Sequence, residues 1–271
     1  MLLWTHEASH YLLFRSRRFN DLWANLFLSS PVGISVATYR HTHVSHHGYL
    51  ATEQDLDRPS FDRDIRGGWR LAFVLLRSLS GWDGLRLVWT KYATGGRQAT
   101  RGKEGQSVAS SFTVCWNLLL LTLCWFAGRW YLYLFLWAIP ILSASVTLNI
   151  VRTLAEHLPA GSSGQALDGA RIPVVRTTLP GTLEKWLLYQ ANFNYHVEHH
   201  LFPTVPAHNL PALHAHLVER GFYDRHPECL QRSGIKRVLE MSVTPDMPRG
   251  QRNAGFGADE AAGRGESSLR P

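Results

Sequence analysis

Hydrophobic positions along the chain fall into two long runs and several short ones. Between Glu104 and Arg129 no charged residue occurs for 24 positions, and residues 114–127 (VCWNLLLLTLCWFA) are almost wholly apolar. A second uncharged run of 22 residues covers 130–151 (WYLYLFLWAIPILSASVTLNIV). At about 1.5 Å rise per residue, roughly 20 residues cross a hydrocarbon core about 30 Å thick, so each run is long enough to span. Only Gly128 and Arg129 separate the two. So little chain can only turn back on itself, which predicts a helical hairpin with both outer ends on one side. Trp125, Trp130, Tyr131 and Tyr133 near the turn form an interfacial aromatic belt. Pro140 predicts a kink in the second helix. Arg97, Arg101 and Lys103 precede the pair and Arg152 follows it, against Arg129 alone in the turn; the positive-inside rule therefore places the outer ends in the cytoplasm.

The shorter runs predict helix over 1–15 and a weakly apolar helix over 20–39, broken near Pro31 and Gly33. The patches 71–79 and 85–89, with Arg77, Asp83 and Arg86 among them, read as amphipathic surface helices. Residues 91–107 and 160–170 read as polar loops, and the Gly-, Arg-, Ser- and Pro-rich tail from Thr244 as disordered. The expected fold is all-α: an integral membrane helical protein with a transmembrane hairpin and a cytoplasmic His-rich helical cap, residues 1–243 forming one membrane domain and 244–271 a tail.

Composition narrows the class. With 45% apolar and 18% charged residues over 271 positions, the chain is neither collagen-like nor globally disordered. Three cysteines without a CxxC pair exclude a disulfide scaffold and a cysteine-rich zinc module. The net charge of +7 suits nucleic acid or an anionic membrane face equally. The basic residues are dispersed rather than striped and no nucleic-acid motif occurs, so nucleic acid is not an expected partner.

Histidine is the informative residue. Of fourteen histidines, ten fall in four clusters: His6-Glu-Ala-Ser-His10, His41-Thr-His43-Val-Ser-His46-His47, Glu156-His157 and His196-Val-Glu-His199-His200. On a helix, residues at i, i+3 and i+4 share a face, so His6 with His10, His43 with His46 and His47, and His196 with His199 and His200 each present their imidazoles together. Neutral imidazole is the commonest transition-metal ligand, and eight or nine converging rings can hold two ions at about 2.0–2.2 Å per bond, where one zinc needs only four ligands. The hairpin topology allows all the clusters on the cytoplasmic side. Glu7, Glu156 and Glu198, each beside a cluster histidine, are candidates to accept the other imidazole N–H and fix the ring's tautomer. Asp55 and Asp57 can do the same or cap a turn; Asn192 and Asn194 can hydrogen-bond a metal-bound water or cap a loop. His41, two residues from His43, points elsewhere, and His208, His214, His216 and His226 read as surface residues. A metal transporter would carry ionisable groups inside its spans, and 105–128 and 130–151 contain no His, Asp or Glu. A zinc hydrolase would hold one or two zinc ions and need neither iron nor oxygen.

HEASH, HVSHH and YHVEHHLFP, arranged in this order around an apolar hairpin, resemble the three histidine boxes of the membrane-bound fatty acid desaturase superfamily, and RTLAEH resembles the segment that supplies a further ligand there. The resemblance runs from about residue 4 to residue 217. It implies a non-haem di-iron site (two Fe2+), O2 as co-substrate, a lipid or acyl-chain substrate in the membrane, and two electrons from an external donor of ferredoxin or cytochrome b5 type. The corresponding ligands are His6, His10, His43, His46, His47, His157, His196, His199 and His200. Desaturation is the expected reaction; lipid hydroxylases and carotenoid ketolases share the same boxes. The family normally places one or two membrane helices before the first box, whereas here the box begins five residues after Met1, so an N-terminal helix is expected to be missing. Thr153 stands four residues before His157, where some acyl-CoA desaturases have a water-holding Asn. No haem-binding HPGG segment occurs, so the donor is expected to be a separate protein.

Overall fold

The computed structural model describes residues 1–50, 52–93, 103–157 and 175–243; the loop expected at 160–170 and the tail from 244 lie outside them. Within them the chain is mostly helical: α1 (Leu2–Ser9), α2 (Arg17–Ala24), α3 (Val36–Tyr49), α4 (Trp69–Leu79), α5 (Trp82–Ala93), α6 (Lys103–Phe126), α7 (Tyr131–Glu156), α8 (Thr182–Leu188), α9 (His196–Leu201), α10 (Leu210–Glu219) and α11 (Gly234–Val243). The two short strands β1 (Thr177–Thr178) and β2 (Leu230–Gln231) pair in parallel.

The two apolar runs are α6 and α7, and the turn between them is built as their separation predicts. Gly128 adopts a left-handed φ of 67°, the N–H of Gly128 bonds Trp125 O and that of Arg129 bonds Cys124 O, which closes the end of α6. Asn117 then ties the two helices: its Oδ1 accepts from Tyr133 Oη at 2.9 Å and from Trp137 Nε1 at 3.1 Å. Among the described residues one helix, Tyr131–Glu156, is long and apolar enough to cross a membrane; its 26 residues extend about 39 Å. The described apolar stretch of α6, Ser111–Phe126, is shorter. Around Pro140 the regular ladder of α7 is broken. A π-helical stretch at Leu134–Ala138 precedes it and Ser143 is distorted to φ −117°, ψ −77°, as a missing N–H inside a helix demands.

The first fifteen residues are not one helix. α1 stops at Ser9 and the chain reverses through Tyr11 at φ 62°, after which Ser16 caps α2 by accepting from Phe19 N. From Ala24 the chain passes through a π turn and a 3-10 turn to Gly33, left-handed at φ 80°, so the predicted break at Pro31 and Gly33 stands where expected. The irregular turns leave carbonyls without helical partners, and α6 supplies donors: Trp116 Nε1 to Leu26 O and Asn117 Nδ2 to Pro31 O. The segment 91–107 is less loop-like than expected, because α5 continues to Ala93 and α6 begins at Lys103, with good helix formers at both ends.

α4 and α5 are the expected amphipathic pair, with Trp69, Leu76, Trp82 and Trp89 exposed and an Arg77–Asp83 ion pair across their corner. Their inner faces meet α7. Leu71 packs with Ile150, Leu154 and Val238 of α11, and Thr147 Oγ1 donates to Ser78 Oγ in the buried seam. Gly84 sits so close to α7 that a Cβ there would fall inside the backbone of Leu142. This packing fixes the end of α7, and so His157, against the cap.

Candidate metal centre

Four elements deliver the histidines. α1 carries His6 and His10, α3 carries His43, His46 and His47, the last turn of α7 leads into His157, and α9 carries His196, His199 and His200. Although these residues span nearly the whole described chain, their rings converge into two groups. His6, His10, His43, His47 and His199 each bring one nitrogen within 4.8 Å of the others; His46, His157, His196 and His200 do the same. The groups adjoin, since the His47 and His200 rings stack at 4.3 Å. His41 is exposed and takes no part.

Helical geometry explains the sorting and refines the expectation that each cluster presents one face. Positions i and i+4 lie about 40° apart around a helix and i+3 lies about 60° the other way. In HVSHH, His43 and His47 accordingly enter the five-histidine group while His46 enters the other. In HVEHH, His196 and His200 enter the four-histidine group while His199 crosses to the first.

The contacts between rings fit a cation rather than hydrogen bonds. His47 Nε2 lies 3.0 Å from His43 Nε2 and 2.9 Å from His199 Nε2; His157 Nε2 lies 3.1 Å from His46 Nε2 and 3.2 Å from His196 Nε2. One imidazole nitrogen has a single in-plane proton or lone pair, so it cannot bond two such partners. Two nitrogens held about 2.1 Å from one ion at right angles stand about 3.0 Å apart. His6 Nε2, His10 Nε2 and His200 Nε2 are buried with no hydrogen-bond partner at all, a cost of about 1–3 kcal/mol each that a bound cation would remove.

Burial also sets the rings' charge. His6, His43, His157, His196, His199 and His200 are held well below the ordinary imidazole pKa, first by loss of solvent and then by repulsion from neighbouring imidazolium. His10 is pushed down to about 4, by burial and then by Arg40, and His47 to about 3, by burial and then by His10 and His46. These eight rings are therefore held toward the neutral form at pH 7, the form a metal needs.

The ring orientations come from Asp55, one of the candidates, and from a backbone carbonyl. Asp55, buried, accepts from His46 Nδ1 at 3.0 and 3.1 Å, and Thr153 O accepts from His157 Nδ1 at 3.0 Å, so in both rings the Nε2 lone pair faces the group. The Thr153 hydroxyl bonds backbone carbonyls, including Asn149 O. The four candidates chosen for chain adjacency are engaged elsewhere. Glu7 Oε2 accepts from Ala207 N, and its Oε1 stays 3.8 Å from His6 Nδ1; Glu156 pairs with Arg152 at 2.6 Å and stays 3.9 Å from His196 Nε2. Glu198 accepts from Thr177, Tyr223 and His214, and Asn192 Nδ2 donates to Ala207 O. Adjacent residues on a helix point about 100° apart, so a carboxylate beside a histidine is turned away from that ring's nitrogens. Glu198 instead anchors α9 to β1, and His214, expected at the surface, is half-buried against it. Two aromatic rings pack against the site: Phe61 stacks on His157 at 4.3 Å and Phe193 meets His6 edge-on at 4.6 Å.

The family model for fatty acid desaturases matches residues 1–232. The chain is 28% identical over 213 residues to a dihydrorhizobitoxine desaturase of Bradyrhizobium elkanii, covering 74% of this chain and 59% of that protein. It is 25% identical over 257 residues to a putative sphingolipid delta(4)-desaturase/C4-monooxygenase of Caenorhabditis elegans (91% and 62%), and 27% identical over 209 residues to a beta-carotene ketolase of a Paracoccus species (76% and 70%). The chain thus spans about three-fifths of the length of the first two relatives. With a match across most of its length and the histidine boxes drawn together in space, the chain belongs to the fatty acid desaturase family.

Proposed function

We propose that this protein carries out O2-dependent di-iron oxidation of a long hydrocarbon chain in lipid, introducing a C=C bond. The observation that carries the reading is the division of nine histidines, six of them buried and three half-buried, into two adjoining groups, each able to hold one ion. In it, His6, His10, His43, His47 and His199 hold one iron and His46, His157, His196 and His200 the other. When bound, the iron pair supplies dioxygen activation and the oxidising power needed against an unactivated methylene. The chain's own part is to present neutral nitrogens, to fix two of them through Asp55 and Thr153 O, and to pack Phe61 and Phe193 against the ligand rings. A lipid substrate agrees with the sphingolipid desaturase among the relatives and with the apolar helix Tyr131–Glu156. In this reading α6 and α7 span the bilayer as a hairpin with the histidine cap on the cytoplasmic side, and a ferredoxin- or cytochrome b5-type protein brings the electrons.

The beta-carotene ketolase relative favours a second reading, oxidation of a carotenoid ring by the same centre. Anaerobic metal analysis of the purified protein, with lipid and carotenoid profiling of cells expressing it, tests both. Two irons per chain with a new unsaturated acyl product is the expected result. A ketocarotenoid selects the second reading, and stoichiometric zinc without oxygen-dependent product overturns both.

A further inference from the structure

The two groups are held in different ways. In the four-histidine group, Asp55 and Thr153 O steer individual rings. In the five-histidine group, His6 has no hydrogen-bond partner at either ring nitrogen and His10 none at Nε2. Both come from α1, a helix of eight residues whose last carbonyls, at Ala8 and Ser9, take side-chain donors just where the histidines project. The placement of these two rings therefore depends on what holds the backbone of α1.

At the C-terminal end of α1 that hold centres on a guanidinium. Arg40, on α3 three residues before His43, donates from Nε to Ser9 O at 2.8 Å and from Nη2 to Ala8 O at 3.0 Å. Its Nη1 and Nη2 also grip Asp21 of α2, at 3.0 and 2.5 Å, and its face lies 3.8 Å over the ring of Tyr11, the residue at which the chain reverses. Asn20 adds a second donor to Ala8 O at 2.9 Å and accepts from Leu13 N. Positive charge at a helix C-terminus is favourable in itself, and a planar fork serving two carbonyls and a carboxylate fixes orientation as a flexible ammonium cannot.

We propose that Arg40 is a positioning residue for the five-histidine group, clamping α1 to α3 so that His6 and His10 meet His43 and His47; the inference rests on the two-iron reading above. The test is anaerobic titration of the full chain in detergent with ferrous iron, comparing wild type with Arg40→Ala and Arg40→Lys, and with His6→Ala and His157→Ala as references that each disable one group. Arg40→Ala is expected to bind one ion as tightly as wild type and the second roughly 10- to 100-fold more weakly, the range typical of lost support around a ligand. Arg40→Lys is expected to be intermediate. Adding Arg40→Ala to His6→Ala should change little, whereas adding it to His157→Ala should remove the remaining ion. Unchanged binding of both ions in Arg40→Ala, or equal weakening of both with helical circular dichroism intact, overturns the proposal. If Arg40→Ala does not fold, Arg40→Lys decides by the same criterion. Failure of the wild type to bind two ions refutes the two-iron reading instead.

Discussion

Replacing Asp55 by Asn isolates one step in the construction of the centre. The Asp55 carboxylate is almost wholly buried and takes the His46 Nδ1 proton between its two oxygens, at 3.0 and 3.1 Å, while Oδ1 also accepts from Asp57 N at 2.9 Å. The amide keeps the shape and one acceptor but loses the charge and sets an NH2 group against part of the donor's path. A charge-assisted bond is about twice as strong as a neutral one, and removal of such a partner costs 10- to 100-fold in metal affinity, about 1.4–2.7 kcal/mol. The loss should fall on the four-histidine group, which contains His46, and spare the other. Chelator competition with ferrous iron under argon resolves the two binding constants. Asp55→Ala, which strands the buried His46 Nδ1–H, should in addition lower unfolding stability by about 1–3 kcal/mol. Wild-type affinity in Asp55→Asn, or equal weakening of both groups, refutes the argument that this carboxylate sets the His46 ring.

Removing a ligand itself is expected to be more severe: His46→Ala or His199→Ala should abolish oxidation and one equivalent of iron while leaving membrane insertion intact, as read by metal analysis of the washed membrane fraction. The metal-free protein should lose stability in acid. Eight of the clustered imidazoles are depressed, among them His10 to about 4 and His47 to about 3, so between these values and about 6.5 the unfolded chain binds more protons than the folded one. Stability is thus present above pH 6.5 and falls as the pH drops toward 4 and 3, by up to ~1.4 kcal/mol per pH unit for each such group, with Glu7, raised by burial, opposing in part. Denaturant midpoints at pH 7.5, 6 and 5 measure this, and a flat profile would contradict it. Gly84→Val should separate α5 from α7, because its Cβ has no room beside Leu142; a thermal melt within 1 °C of wild type, where about 1 kcal/mol shifts a domain of this size by roughly 2–4 °C, would show the approach to be soft.

Much of this was legible in the chain because it depends on local rules. Two uncharged runs separated by Gly128 and Arg129 specify two helices and a tight turn, and the recurrence of imidazoles at helical spacing picks out eight of the nine that converge; His157, with no histidine near it in the chain, is named by the resemblance of RTLAEH to a family segment. What eluded the sequence was set by partners distant along the chain or by direction at a helix end. Glu7, Glu156 and Glu198 were attractive for adjacency, which on a helix points side chains apart; Asp55, which the sequence leaves open between ring partner and turn cap, reaches His46 nine residues away because the chain turns between them. Tyr11 ends α1 by adopting a left-handed conformation that no glycine announces, and Arg40 finds its carbonyls 31 and 32 positions away. His214 resembles an ordinary surface histidine until Glu198 is seen to need donors.

The HxxHH spacing carries more structural content than a count of ligands. A pair at i and i+4, such as His6 and His10, serves one group from one helix. Adding i+3 sends a ring about 100° away from i+4, and with α3 and α9 facing each other that third ring enters the neighbouring group. The exchange is reciprocal: α3 gives two rings to the five-histidine group and one to the other, while α9 gives two to the four-histidine group and one back. Each helix therefore bridges both groups, and neither group can shift along the interface without pulling on the other. A single four-ligand site could be built from His–x3–His pairs alone; two HxxHH helices laid face to face are what the two-ion proposal requires, because they hold the two groups at a fixed separation.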